Sequence, residues 1–208
     1  SAPIVKVETD LLRLEISTRG GDLQSLLLRD YPVHPSNPEQ KYQLLKPVPP
    51  NLFLAQSGLI GADPATAPTH ETDFLTAEDE YRLAEGEDEL VVPLRWSHPS
   101  GIEVIKRYRF RRGSYLVEVS HEVINGGNKP WAARQYNQLQ RTAPPESDKQ
   151  SFIYTYTGGA IYGPEEKYEK IDFEELAEGQ LNRDVRGGWI AMIQHYFLSA
   201  WVPEAEET

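Results

Sequence analysis

The chain of 208 residues has no cysteine, and it has only one methionine. Without thiols there is no disulfide framework, no thiolate metal site and no cysteine nucleophile. The five histidines, His34, His70, His98, His121 and His195, form no HxH or HExxH pair, so no helical clamp for zinc is encoded. Ser57-Gly58 and Ser100-Gly101 lack the flanking pattern of a nucleophile elbow. The glycine pairs Gly20-Gly21 and Gly126-Gly127 read as turns, with no phosphate loop or dinucleotide fingerprint around them. The acidic run Glu85, Glu87, Asp88, Glu89 lacks calcium-loop spacing and reads as a solvated turn about Gly86. Carboxylates are plentiful, so a glycosidase-type pair stays open on composition alone. No motif specifies a reaction.

Positive charge is also short. Lys and Arg number 21 against 32 Asp and Glu, a formal net charge of −11. Such a surface releases no counterions from nucleic acid and has the wrong sign for anionic lipid. Long apolar runs are nearly missing too. The longest, GGWIAMIQHYFLSAWVP from Gly187 to Pro203, is interrupted by Gln194, His195 and Ser199, too short and too polar for a membrane span. No signal peptide is visible at Ser1, and the reading is an excised soluble domain.

What is present is strand logic. Leu12, Leu14 and Ile16 alternate with Arg13, Glu15 and Ser17, and the Arg19-Gly20-Gly21-Asp22 turn leads into a strand from Leu23 to Leu28. Proline-rich residues 31–50 read as loop with a short strand at Tyr42 to Leu45; Gly58 to His70 read as a second, exposed loop. A hairpin from Ile102 to Ile124 is the clearest local signal. Ile102, Val104, Tyr108 and Phe110 share one face, while Glu103, Arg107, Arg109 and Arg111 share the other. A type II′ turn at Gly113-Ser114 sets Phe110 against Val117, Tyr108 against Val119 and Arg109 against Glu118. A one-residue slip would put Phe110 in water, so the register is well determined.

His121 falls at an inward strand position and reads as a hydrogen-bonded core or rim histidine. Trp131 to Arg141 reads as a further strand, Phe152 to Thr157 alternates aromatics with Thr and Ile, and Phe173 to Glu178 as a short helix with Asp172 as N-cap. The aromatic run reads as two strands, Gly188 to Gln194 and Phe197 to Val202, covered on both faces and turning at His195-Tyr196. Its alternative is a partner-binding edge, where Trp and Tyr supply contact area at little entropy cost. Ten or more strands in one chain imply two large twisted sheets layered as a sandwich.

Six stretches in order carry a resemblance. They are TDLLRLEISTRGGDLQSLLLRDYP, QSGLIG, YRLAEGEDELVVPLRW, KRYRFRRGSYLVEV, GAIYGPEEKYEKIDF and GGWIAMIQHYFLSAWVP. Together they resemble the large periplasmic domain of bacterial YidC membrane protein insertases. The resemblance implies a mainly β fold: one β-supersandwich domain over residues 1–208, two large twisted antiparallel sheets similar to galactose mutarotases, with one or two short helices. It implies a non-catalytic role at the periplasmic face of the inner membrane, with no cofactor and no metal. The implied partners are the Sec translocon with its accessory subunits and nascent inner-membrane proteins.

Docking is expected on the surface around Tyr154, Tyr156, Tyr168, Lys170, Trp189, Tyr196 and Trp201. The alternative is a carbohydrate-binding or aldose-epimerase-like sandwich, although the His and Glu arrangement of a working mutarotase is missing. A free-standing secreted adhesin is a third reading. Fold likeness alone would establish none of these activities.

Overall fold

The computed structural model describes residues 2–143, 156–179, 181–194 and 196–204. The chain forms two compact units, Ser1–Pro47 with Phe53–Gln140, and Val48–Leu52 with Arg141–Thr208. The fold is mainly β, as the sequence reading expects.

The first unit layers two sheets. Its larger sheet holds β1 (Ile4–Glu8), β2 (Leu12–Ser17), β3 (Asp22–His34), β4 (Asn37–Leu45), β5 (Phe53–Gly61), β6 (Glu80–Arg82) and, at the far edge, β10 (Ala133–Arg141). The order is β10-β5-β3-β2-β1-β6 with β4 beside β3; β6 joins β1 in parallel. The smaller sheet is β7 (Glu89–Ser97), β8 (Ile102–Arg111) and β9 (Val117–Asn125), in that order. Alternation explains the layering. Val5, Val7, Leu12, Leu14 and Ile16 of the larger sheet are buried, as are Val92, Leu94, Val104, Tyr108 and Phe110 of the smaller one. Leu59 of β5 shares a cluster with Ile102 and Val104 of β8, with Trp96, Trp131 and Ala133 packed against it. Each aliphatic side chain so enclosed contributes about 1.5–3 kcal/mol.

The β8–β9 register is the expected one: Phe110 opposes Val117, Tyr108 opposes Val119 and Arg109 opposes Glu118. On the outer face Arg109 and Arg111 share Glu89 and Glu118 as ion-pair partners, and Arg107 pairs with Glu122. The turn itself differs from expectation. Ser114 N–H donates to Arg111 O, which makes Gly113, at φ +71°, the third residue of a turn begun at Arg111. A type II′ turn would need that glycine second. Contacts from outside explain the shift: Gly113 N–H donates to Asp10 Oδ2, and the Arg112 guanidinium reaches Ala84 O and Glu87 O.

Parts of two expected loops are instead paired strands. Residues 31–41 belong to the β3–β4 arm, turning at Pro35-Ser36 between His34 and Asn37. The register slips between Leu28 and Pro32 and again between Pro32 and His34. Irregular, exposed ladders of this kind accommodate proline. Within Gly58 to His70, the first four residues complete β5, and a single 3-10 turn covers Pro64–Thr66. A Cβ on Gly58 would lie 2.7 Å from Tyr136 Oη, so the small residue there marks close packing, not a mobile loop.

The second unit is one four-stranded antiparallel sheet ordered β12-β11-β13-β14. Its strands are β11 (Thr157–Gly163), β12 (Lys167–Ile171), β13 (Trp189–Gln194) and β14 (Phe197–Trp201). Helix α1 (Phe173–Glu178) has the expected N-cap: Asp172 accepts from Glu174 and Glu175 N–H, and Glu175 returns a bond to Asp172 N–H. This reciprocal capping box closes orphan donors that so short a helix cannot satisfy internally. Of the expected strand Phe152 to Thr157, residues 152–155 lie outside the described residues.

Candidate functional site

Strand pairing decides which aromatic residues of the second unit stand together. Tyr162 opposes Tyr168 on β12 and Trp189 on β13, so these three share one face in a single row. Tyr162 stacks on Trp189 at 5.7 Å with 13° between the rings, and Tyr168 tilts toward Trp189 at 6.2 Å. Lys170 follows two residues after Tyr168 on the same face. Its Nζ lies 4.6 Å from the centroid of Tyr156. The Tyr156 hydroxyl donates to Gly159 O and Ile171 O, which fixes the ring, and burial raises its pKa above the ordinary phenolic value.

Of the expected docking residues, Tyr156, Tyr168, Lys170 and Trp189 are thus gathered on one face. Trp201 opposes Ile190 and falls on the other. Tyr196 stands at the β13–β14 turn, 80% exposed. Tyr154 lies outside the described residues, as does His195.

The expectation that this aromatic hairpin is covered on both faces does not hold. Ala191 and Met192 are buried, whereas Ile190, Leu198 and Val202 are exposed. Among the described residues, β14 is the last strand of the sheet. Tyr168, at 47% exposed, and Lys170 open the aromatic row to solvent. Beyond the row, Arg183 forms a two-point pair with Glu169, holding that carboxyl below its usual range. The sheet therefore presents rigid rings, a cation and exposed apolar residues.

The first unit contains a polar seam that the sequence reading passed over. Lys106 is completely buried between its two sheets. Its Nζ donates to Gly20 O at 2.8 Å and Ser57 O at 2.9 Å. Tyr108, beside it, donates to Gly21 O. The Gly20-Gly21 turn comes close enough only because it lacks side chains: a Cβ on Gly20 would sit 2.3 Å from His70 O, and one on Gly21 would meet Leu94 and Lys106. Both glycines hold positive φ, at +74° and +60°.

Asp22 accepts from Gln56 at 2.5 Å, and Gln56 accepts from Gln138 at 2.6 Å. His70 Nδ1 meets the Tyr136 hydroxyl at 2.5 Å, and His121 Nδ1 meets Gln135 at 3.0 Å. That contact makes His121 the hydrogen-bonded rim histidine anticipated for its position.

Burial governs the titration of this seam. It pushes Lys106 down to about 7, against the Asp22 charge that raises it. It lifts Asp22 to about 6, opposed by the Gln56 bond and the charges of Lys106 and His70. His121 is pushed down to about 4, first by burial and then by Lys106. Tyr108 is raised well above the usual phenolic value, again by burial first. The missed signal was positional. Lys106 lies midway between Val104 and Tyr108, on the very face that alternation assigns to the core.

Among the described residues, no group of three or more His, Asp or Glu is placed to hold a metal ion. No helix among them is long and apolar enough to cross a membrane.

Comparison with known proteins brings these features into one frame. A family model described as the YidC periplasmic domain matches residues 4–208. The membrane protein insertase YidC of Methylococcus capsulatus is 48% identical over 98% of this chain, which spans 37% of that protein's length. The YidC insertases of Alkalilimnicola ehrlichii and Thioalkalivibrio sulfidiphilus are each 44% identical, over 96% and 98% of the chain and 35% and 37% of their own lengths. The chain thus spans little more than a third of these curated relatives.

Proposed function

The chain belongs to the YidC periplasmic domain family, and we propose that it serves, without chemistry of its own, as a periplasmic contact module of an inner-membrane insertase. The family match runs through both compact units, which supports treating residues 1–208 as one functional domain. In this reading the module positions the insertase beside accessory subunits of the Sec translocon while nascent inner-membrane proteins are handled. The docking face is the aromatic row of the second unit.

One observation carries the reading: across three adjacent strands Tyr162 stacks on Trp189 and Tyr168 tilts against it, with Lys170 exposed beside them. Rings already held by stacking lose little entropy when a partner covers them, and aromatic residues dominate interface energetics. Apolar Leu198 and Val202 extend the same sheet's exposed surface. By contrast, the hydrogen bonds of the first unit's seam run among its own side chains and to backbone carbonyls, a poor arrangement for turning over a substrate.

The test is a binding assay between purified Sec accessory subunits and the insertase bearing Lys170→Glu with Tyr168→Asp. Loss of binding with an unchanged thermal midpoint supports the docking face; wild-type binding by the double variant removes it. Titration calorimetry against a panel of hexoses addresses the non-catalytic claim. Saturable binding with faster anomer exchange would replace that claim with the epimerase-like alternative.

A further inference from the structure

The polar seam of the first unit is incomplete in a way that a settled core is not. An ammonium carries three protons to donate, and Lys106 meets two acceptors, Gly20 O and Ser57 O. Asp22 Oδ1, Ser57 Oγ and His121 Nε2 are shielded from solvent and have no hydrogen-bond partner among the described residues. Gly20 follows β2 and Ser57 lies in β5, both in the larger sheet, whereas Lys106 rises from the smaller one. The two carbonyl bonds are therefore a direct polar tie across the sandwich. A buried charge is tolerated best where hydrogen bonds satisfy it fully, and here they do not.

We propose that Lys106 and Asp22 form a proton-linked clasp between the two sheets of the first unit, each charge strained by its own burial, eased by the other's opposite charge, and relieved when that group itself becomes neutral. A neutral amine has two protons for its two carbonyl acceptors, so the tie persists in the relaxed form. The groups facing the clasp come from every packed element. Tyr108 lies two residues along β8, its ring centroid 5.6 Å from Lys106 Nζ. His121 is the direct cross-strand partner of Lys106 on β9. Asp22 opens β3, where the charge of His70 acts on it, while Asp22 and Glu71 in turn act on Tyr136 of β10.

The signs follow from linkage. Lys106 titrates near 7 in the fold and at 10.5 when free, so its strain is full below 7 and is relieved as pH climbs from 7 toward 10.5. Asp22 titrates near 6 in the fold and at 3.8 when free, so its strain fades as pH falls from 6 toward 3.8. His121 works against that acid limb: its folded value near 4, below 6.5, withdraws stability as pH falls through the same interval. The alkaline limb is thus the diagnostic one. The clasp is most strained around neutrality and relaxes above it.

The deciding experiment is an NMR titration of the 208-residue chain carrying labelled lysine side chains. One lysine, assigned through its loss in Lys106→Met, is expected to titrate near pH 7. A Lys106 midpoint near 10 overturns the clasp. If Lys106→Met does not fold, the presence or absence of one lysine titrating near 7 in the wild type still decides. In Asp22→Asn the midpoint should move lower still, because the neighbouring negative charge that supports the ammonium is gone; an unmoved midpoint ends the coupling. The urea midpoint of the wild type should rise between pH 7 and 9, and Lys106→Met should flatten that rise. A wild-type slope retained in the variant counts against the proposal.

Discussion

Each compact unit sets a lysine against a tyrosine, and the two pairs behave oppositely. In the first unit Lys106 lies 5.6 Å from the Tyr108 ring, both side chains sealed between sheets and committed to backbone carbonyls. In the second, Lys170 lies 4.6 Å from the Tyr156 ring, on a face open to water. Similar residues thus serve as an internal tie in one place and as an external handle in the other. The difference is burial. A buried charge must find every partner inside the protein, so it fixes the structure around it and shifts in pKa. An exposed cation over a ring gains only about 0.5–1 kcal/mol and remains free to trade that contact for a partner.

Three substitutions would break or sharpen that contrast. The largest effect belongs to Tyr108→Ala, which removes a fully buried ring and its bond to Gly21. A destabilisation of about 3–5 kcal/mol by urea unfolding is expected; a loss under 1 kcal/mol would mean that the sandwich interior is not the anchor described. Next comes Trp189→Ala. The ring is only half-buried and leans on Tyr162 and Tyr168, so about 2 kcal/mol is expected, below a full core truncation. A loss as large as that of Tyr108 would reassign the row from docking face to core. Smallest is Asp172→Ala at the N-cap of α1, about 1 kcal/mol. Its amide-exchange signature should stay local to residues 172–179, and a global change there would contradict a purely capping role.

Much of this contrast was legible in the chain. The β8–β9 register followed from alternation, because a one-residue slip would have exchanged Phe110 and Tyr108 for Arg109 and Arg111 on the core face. The cap of α1 followed from Asp172 and Glu175, three residues apart, which can satisfy each other's backbone donors without help from afar. The family resemblance held, and the aromatic hairpin lay where expected. Other features escaped for a shared reason. Proline and small residues in 31–41 and 58–61 suggest loops locally, but an irregular ladder admitted the first and the Tyr136 ring demanded the second. Gly113 moved within its turn because Asp10, a hundred residues away, holds its N–H.

Local pattern settled the β class, the strand faces, the hairpin pairing and the short capped helix, since each depends on neighbours within a few residues. Only tertiary structure decided that Lys106 meets Gly20 and Ser57 and that Trp189 and Trp201 look in opposite directions. Those outcomes depend on which distant strands become neighbours, and a single chain read along its length carries no distance between them.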